Sequence, residues 1–183
     1  MIHLLIIGIM ATKTLSNEFI QKIMAEEAWK QLSEEFKWSE PLLEKYQDKV
    51  DWNGISENTN IQWTVPMIQK FKNRIDWDKF SRHAEAETLT ENIIDTFKDK
   101  WNWNELSENN NLELTFDFLD KYADRLDWEE IINRWHCSLY TEKGIEFYER
   151  YKDFIPASKL QNTSLWNEIV NEWKKQLIAE ITA

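Results

Sequence analysis

The chain has 183 residues, a length that suits one domain with a hydrophobic core. It contains three Gly and three Pro, which argues against turn-rich β folds and disordered linkers. The formal net charge of −11 disfavours nucleic acids and anionic membranes as partners, because both are polyanions. A single cysteine excludes an intrachain disulfide and is compatible with a reducing, cytoplasmic location.

The N-terminal segment MIHLLIIGIMA is apolar but too short to span a bilayer. It also lacks the basic residues that open a secretory signal. Two interpretations of residues 1–9 stay open: they pack as a terminal segment, or translation begins at Met10 and they are not native. Residues 14–27 follow with apolar side chains at helical spacing and are predicted to form an N-terminal cap helix.

A tryptophan motif then recurs at nearly constant spacing between residues 28 and 155. Its copies read AWKQLS, DWNGIS, DWDKFS, NWNELS and DWEEII, with Trp at positions 29, 52, 77, 103 and 128. A Ser or Thr follows each copy, at Ser39, Thr64, Thr90, Thr115 and Thr141. In the first four copies apolar residues lie three, four and seven positions after that residue, which is one face of an α-helix. The fifth copy is looser, with Gly144, Ile145 and Tyr148 at these positions. Each copy therefore predicts a short helix, a turn and a longer second helix.

Cap residues support the same boundaries. The residue before Trp is a typical N-cap in four copies: Asp51, Asp76, Asn102 and Asp127. An apolar residue precedes each of these caps, as in a hydrophobic staple: Val50, Ile75, Trp101 and Leu126. Glu105 and Glu130 lie where a capping box places its acid. Asn58 and Asn109 are predicted to end the short helix in a left-handed conformation.

The second helix has its own signals. Ser39 and the four Thr are predicted to be its N-caps. Pro41 and Pro66 fall in its first turn, where a missing backbone N–H costs nothing.

One helix pair cannot bury its apolar face alone, so neighbouring pairs must stack. The sequence therefore predicts an all-α fold, a right- or left-handed α-solenoid of about five short helix-turn-helix repeats. The predicted organisation is a single domain over residues 1–183, with repeats at 28–155 and a C-terminal cap at 156–183.

Two stretches carry the motif best, DWNGISENTNIQWT (51–64) and NWNELSENNNLELT (102–115). Their pattern, Trp-x-x-Leu-Ser-x-Asn followed by an apolar residue and Thr, resembles the short tryptophan-rich repeats of uncharacterised proteins in giant DNA viruses and some bacteria. Those repeats usually place Pro after the Asn, whereas Thr59 and Asn110 follow it here. The resemblance covers about residues 28–155 and implies an architecture, not an activity.

The motif is interpreted as structural rather than catalytic. No His recurs with the Ser-Glu-Asn triplet, and Ser without a base is inert. The repeated Trp residues are interpreted as core, not as an aromatic binding platform. His3, His83 and His136 lack metal-ligand spacing, and three Gly cannot form a phosphate loop, so neither a metal nor a cofactor is expected.

The fifth copy departs from the pattern. Ile132 replaces the Ser, and Arg-Trp-His-Cys occupies the turn at 134–137. Its second helix is interpreted as three residues longer, with two aromatics outside the repeat frame. Because Arg and large aromatics are common interface anchors, the sequence predicts a partner-binding surface at Arg134, Trp135, His136, Phe147 and Tyr151. The alternative is that this irregularity accommodates the C-terminal cap.

These observations favour a non-catalytic scaffold or adaptor that binds a protein with a basic surface. Two alternatives stay open. One is a small enzyme or peptide-pocket protein with a site around His136 and Cys137, which would require an exposed thiol of low pKa. The other is an acidic mimic of nucleic acid.

Overall fold

The computed structural model describes residues 2–135 and 137–183, with side chains from residue 17 onward except at position 136. Over these ranges the chain is helical and contains no strand, so the predicted all-α class is confirmed. The helices are α1 Ile2–Glu35, α2 Glu40–Tyr46, α3 Trp52–Glu57, α4 Val65–Phe71, α5 Trp77–His83, α6 Glu91–Thr96, α7 Trp103–Glu108, α8 Phe116–Tyr122, α9 Trp128–Asn133, α10 Gly144–Tyr151, α11 Ala157–Leu160 and α12 Ser164–Thr182.

The chain divides into two compact units, Met1–Asp76 and Trp77–Ala183. In the first unit α1 packs against α3. In the second, α5 packs against α7 and α7 against α9, while α12 packs against both α9 and α10. Within each unit, therefore, the short helix of one repeat lies against the short helix of the next. The solenoid, its handedness and the single domain stay predictions.

The predicted helix starts are largely confirmed. Asp51, Asn102 and Asp127 each accept a hydrogen bond from a backbone N–H two residues later. Three of the predicted second-helix caps accept one from the residue three positions on: Thr64, Thr90 and Thr115. Pro41 and Pro66 lie in the first turns of α2 and α4.

One predicted second-helix cap is wrong, and another is confirmed in position only. Ser39 is the N-cap residue of α2 but makes no capping hydrogen bond with its side chain. Thr141 does not begin a helix at all, because α10 starts at Gly144. Its hydroxyl instead donates to the carbonyl of Cys137 at 2.8 Å, within a turn. This turn makes the fifth repeat different from the others.

The core consists of the apolar residues that the motif places toward the neighbouring helices. In four of the five copies the residue three positions after the repeat Trp is fully buried: Ile55, Phe80, Leu106 and Ile131. In the first copy Leu32 holds this position and is 43 % exposed. The staple positions are buried as well: Val50, Ile75, Trp101 and Leu126. Trp128 is buried, while the other repeat Trp residues are half-buried. None of the repeat Trp residues stands open to solvent as a platform would.

The two terminal helices, α1 and α12, belong to the first and the second unit, respectively. α1 runs without interruption from Ile2 into the first repeat and contains Trp29, so the predicted cap helix and first repeat helix are one element. The side chains of residues 1–9 lie outside the described part of the chain. At the other end, α12 packs onto α9 and α10 through its first half. Among the described residues, no helix combines the length and apolar character needed to cross a membrane.

Candidate functional site

The Ser of the motif bridges consecutive repeats. Ser33 donates its hydroxyl to the carbonyl of Trp29 at 2.7 Å and accepts the backbone N–H of Asp51 at 2.9 Å. The same pair of bonds recurs at three further bridging serines: Ser56, Ser81 and Ser107. Each hydroxyl therefore ties the end of one short helix to the N-cap of the next.

This arrangement overturns the predicted capping boxes. The N-cap amides of Asn102 and Asp127 donate to Ser81 and Ser107, so the carboxylates of Glu105 and Glu130 are not needed there. The serine that does this lies about twenty residues earlier in the chain, which a local pattern cannot reveal. Glu105 instead pairs with Arg82.

The Asn of the motif has a related role. The side-chain amide of Asn58 donates to the carbonyls of Ser33 and Phe36 at 2.8 and 2.9 Å, which caps the C-terminus of α1. Asn109 donates to the carbonyls of Ser81 and Ala84 at 3.0 and 2.9 Å. The two Asn have φ of −72° and −67°, so the predicted left-handed conformation is wrong. An extended backbone is what lets the side chain reach the previous repeat.

Arg134 occupies the position of this Asn in the fifth repeat. Its guanidinium donates to the carbonyl of Leu112 at 2.8 Å, to that of Ser107 at 3.2 Å and to that of Asn109. Burial lowers the pKa of this guanidinium. Three backbone carbonyls thus hold a side chain that was predicted to be a surface anchor. In this structure Arg134 joins two repeats.

Phe147 and Tyr151 also lie in the core, with 1 % and 2 % of their surface exposed. The hydroxyl of Tyr151 donates to Asp120 at 2.8 Å, just as that of Tyr122 donates to Asp95 at 2.8 Å. Tyr151 is therefore the counterpart of Tyr122, and the interpretation of these two aromatics as lying outside the repeat frame is wrong.

The extra residues of the fifth repeat precede α10 instead of lengthening it. α10 has eight residues and α8 has seven, so the predicted three-residue extension is wrong. The insertion is the turn 137–143, where Glu142 has a φ of 61° and its amide donates to the carboxylate of Glu168 at 3.1 Å. Gly144 follows in close contact with α12, because a Cβ there would come within 2.7 Å of the backbone nitrogen of Ile169.

Trp135 remains on the surface beside this insertion, with 81 % of its area exposed. It borders a cavity of about 150 Å³ in the second unit. The other residues that line the cavity are Tyr140, Thr141, Ser164, Asn167 and Glu168. Trp135 and these five residues are called the Trp135 site below. His136, which was predicted to belong to the same surface, lies outside the described residues.

The sequence prediction missed the residues of the Trp135 site other than Trp135. Ser164, Asn167 and Glu168 come from the first turns of α12, far along the chain, and no pattern connected them to the fifth repeat. The available signal was the insertion itself, because extra chain in a repeat array must be accommodated against a neighbouring element.

Cys137 does not have the environment of a nucleophile. The side chain is buried, and burial raises the pKa of its thiol. A catalytic or metal-binding thiol requires the opposite shift, since the thiolate is the reactive form. Among residues whose side chains are described, no group of three or more His, Cys, Asp or Glu could hold a metal ion.

No family model, curated protein or solved structure matches this chain. The fold and the site therefore define only a class, an all-α protein with repeated helix pairs and an aromatic surface site at an insertion. The resemblance to tryptophan-rich viral and bacterial repeats stays a prediction from the sequence.

Proposed function

We propose that this protein is a non-catalytic helical-repeat scaffold that binds a partner protein at the Trp135 site. The observation that carries the proposal is the exposure of Trp135 at the edge of a cavity. Large exposed aromatics next to a pocket are typical centres of protein interfaces, since they contribute contact area at little cost in conformational entropy.

Charge favours a basic partner. The formal net charge is −11, and the Trp135 site itself contributes the carboxylate of Glu168. A field of this sign accelerates association with a positively charged surface and repels polyanions. An indole face also attracts Lys and Arg side chains through its π system. The proposed partner surface therefore presents a Lys or Arg side chain to Trp135.

The size of the cavity limits what enters it. A volume of about 150 Å³ accommodates part of one side chain and is below the range of about 300–1,000 Å³ that is usual for small-molecule sites. This favours a protein contact over an enzyme pocket. The buried, protonated state of Cys137 points the same way.

The experiment is affinity capture with Trp135→Ala. Capture from a native lysate by the unaltered protein is expected to recover a protein partner. Loss of Trp135 should weaken binding of that partner about 30-fold, which is the effect of an interface hot spot of about 2 kcal/mol. Trp173→Ala is the matched control, because Trp173 is also an exposed Trp of the second unit and does not line the cavity.

Arg134→Ala separates binding from stability. Since Arg134 holds three carbonyls, its loss is expected to cost about 1.5–3 kcal/mol of unfolding free energy, whereas Trp135→Ala should change it by less than about 0.5 kcal/mol. Chemical denaturation measures both. Equal partner binding by Trp135→Ala and the unaltered protein would refute the site. Recovery of no protein, together with turnover of a small substrate, would refute the function.

A further inference from the structure

Two helices of the chain expose apolar faces that no other described residue covers. Every side chain from residue 17 to residue 28 of α1 is exposed, and so is every side chain from 173 to 182 of α12. The large apolar residues within these segments are Phe19, Ile20, Ile23, Met24, Trp173, Leu177, Ile178 and Ile181. The α1 set (Phe19, Ile20, Ile23, Met24) is called the α1 face, and the α12 set (Trp173, Leu177, Ile178, Ile181) the α12 face.

The spacing puts each set on one side of its helix. Phe19 and Ile23 are four residues apart, as are Ile20 and Met24, and pairs at that spacing are neighbours on a helix surface. On α12 the same spacing joins Trp173 to Leu177 and Leu177 to Ile181. A contiguous apolar stripe of this kind on a surface helix is typical of a helix that packs against another helix.

The charges at the ends of the stripes are opposite. Glu27 continues the α1 face at its C-terminal end, four residues after Ile23. Lys174 continues the α12 face at its N-terminal end, four residues before Ile178. Both side chains are exposed, and neither makes an ion pair with another described residue.

We infer that the α12 face binds the α1 face of a second copy of this chain, with the two helices antiparallel. One register pairs most of both stripes. It places Glu27 opposite Lys174, Met24 opposite Leu177, Ile23 opposite Ile178 and Ile20 opposite Ile181, and it leaves Phe19 and Trp173 at the two ends of the contact.

Self-pairing of either face fits the charges less well. Two α1 faces together combine segments that each have an excess of carboxylates, with Glu18, Glu26 and Glu27 against Lys22. The α12 segment 173–182 has Lys174 and Lys175 against Glu180, so two α12 faces together combine segments with an excess of lysines. Opposite charges at corresponding ends of the two stripes favour the contact of α1 with α12 over contacts between like faces. They also fix the antiparallel orientation of the two helices.

The contact is expected to be weak. Four side chains at these exposures offer on the order of 300–400 Å² per helix, which is less than the roughly 800 Å² per partner of a standard interface. In a heterologous contact each copy also keeps one face open, so association continues to longer chains unless it closes into a ring. The average molecular mass in solution should therefore rise gradually with protein concentration.

The test is sedimentation velocity and equilibrium of the full chain over roughly 10 µM to 1 mM, the range in which weak contacts titrate. Two variants disable one face each: Phe19→Gln with Ile23→Gln, and Ile178→Gln with Ile181→Gln. Gln suits an exposed helix position, so both variants should keep their helical circular dichroism. Gln21→Ala and Gln176→Ala are controls on the other sides of the same helices.

Complementation decides between the arrangements. Each variant alone should stay monomeric, and an equimolar mixture should form a 1:1 dimer that does not grow, because one intact face remains on each partner. Association of the α1-face variant by itself would show α12 pairing with α12, and association of the α12-face variant would show α1 pairing with α1. Either result, a mixture that stays monomeric, or an unaltered protein that is monomeric at 1 mM overturns the inference.

Charge exchange tests the register. Glu27→Lys and Lys174→Glu should each weaken association several-fold, and the double variant should restore it. Failure of the double variant to recover would refute the antiparallel register. This contact is separate from the proposed function, since Trp135→Ala is expected to leave self-association unchanged and Trp173→Ala to weaken it.

Discussion

Ser107 is fully buried although it is polar, because both hydrogen-bonding roles of its hydroxyl are filled. It donates to Trp103 at 2.7 Å and accepts the amide of Asp127 at 3.0 Å. A buried donor or acceptor that loses its partner costs more than the bond itself contributes, since the group left behind stays desolvated. The packing of two repeats therefore accounts for a short Ser at this position.

Ser107→Ala is expected to lower the free energy of unfolding by about 1–3 kcal/mol, because the amide of Asp127 is left without its acceptor. For a chain of this length each kcal/mol shifts the Tm by about 2–4 °C. Thermal unfolding followed by circular dichroism measures the change. Ser158→Ala, at an exposed Ser of α11, should shift the Tm by less than about 2 °C. Equal shifts for the two variants would contradict the bridging role.

At the scale of helices, two kinds of contact at equivalent positions join neighbouring second helices. One is an ion pair from a Lys or Arg, and the other is a hydrogen bond from a Tyr hydroxyl to an Asp. Lys121 reaches Glu91 and Asp95 from α8 to α6, at 2.8 and 3.0 Å. Arg150 of α10 reaches Asp120 of α8 at 2.5 Å, and the Tyr that follows it donates to the same carboxylate. The hydrogen bonds from Arg150 and Tyr151 lower the pKa of Asp120.

Asp120→Asn tests this link through its dependence on pH. A carboxyl whose pKa is lowered by folding stabilises the folded state above its unfolded pKa, and that contribution disappears as the pH falls through the folded pKa. Asp120→Asn should therefore lower the Tm at pH 7, by the equivalent of no more than about 1 kcal/mol because the pair is exposed. The difference from the unaltered protein should shrink as the pH falls below 3.8, the ordinary pKa of Asp.

Thermal unfolding between pH 7 and pH 2 provides this measurement. Asp124→Asn is the control. Asp124 is exposed and lies two residues after Tyr122, where α8 ends. A Tm difference for Asp120→Asn that stays constant across the range would contradict the assignment of the effect to the ionised carboxylate.

Local signals carried the prediction of helices, and long-range contacts limited it. The starts of α3, α7 and α9 could be read from Asp-Trp or Asn-Trp, because an N-cap acts within three residues of itself. The roles of Asn58 and Asn109 could not, since their amides bond carbonyls more than twenty residues earlier. In the fifth repeat the helical spacing counted from Thr141 leads to Tyr148, whereas Tyr151 makes the hydrogen bond equivalent to that of Tyr122. An insertion shifts the register without leaving a local mark.

The candidate site was predicted only in part, for a similar reason. The irregular fifth repeat drew attention to this region, and the structure departs from the other repeats at the turn 137–143. Which aromatics stay exposed there depends on packing against α12, so Phe147 and Tyr151 entered the core while Trp135 remained on the surface. Composition and spacing hold no information about that choice.

Within each of the two units, hydrogen bonds join each repeat to the one before it. The bridging serines, the capping Asn residues, Arg134 and the charged links between second helices all join residues about 20 to 30 positions apart. In repeat proteins such nearest-neighbour contacts supply most of the stability, because a single repeat cannot bury its apolar face. The Trp-containing motif is accordingly explained by contacts between neighbouring repeats, and the proposed binding site lies where the motif is interrupted.

Hydrogen exchange of the N-cap amides of Asn102 and Asp127, followed by NMR, tests most directly whether the bridging serines bond these amides. An N-cap amide in the first turn of a helix ordinarily has no intrahelical partner and exchanges rapidly unless it is otherwise bonded. Slow exchange is expected at both amides. Ser81→Ala should accelerate exchange of the Asn102 amide more than that of Asp127, and Ser107→Ala should do the reverse. Rapid exchange of both amides in the unaltered protein, or equal acceleration by the two substitutions, would contradict these hydrogen bonds.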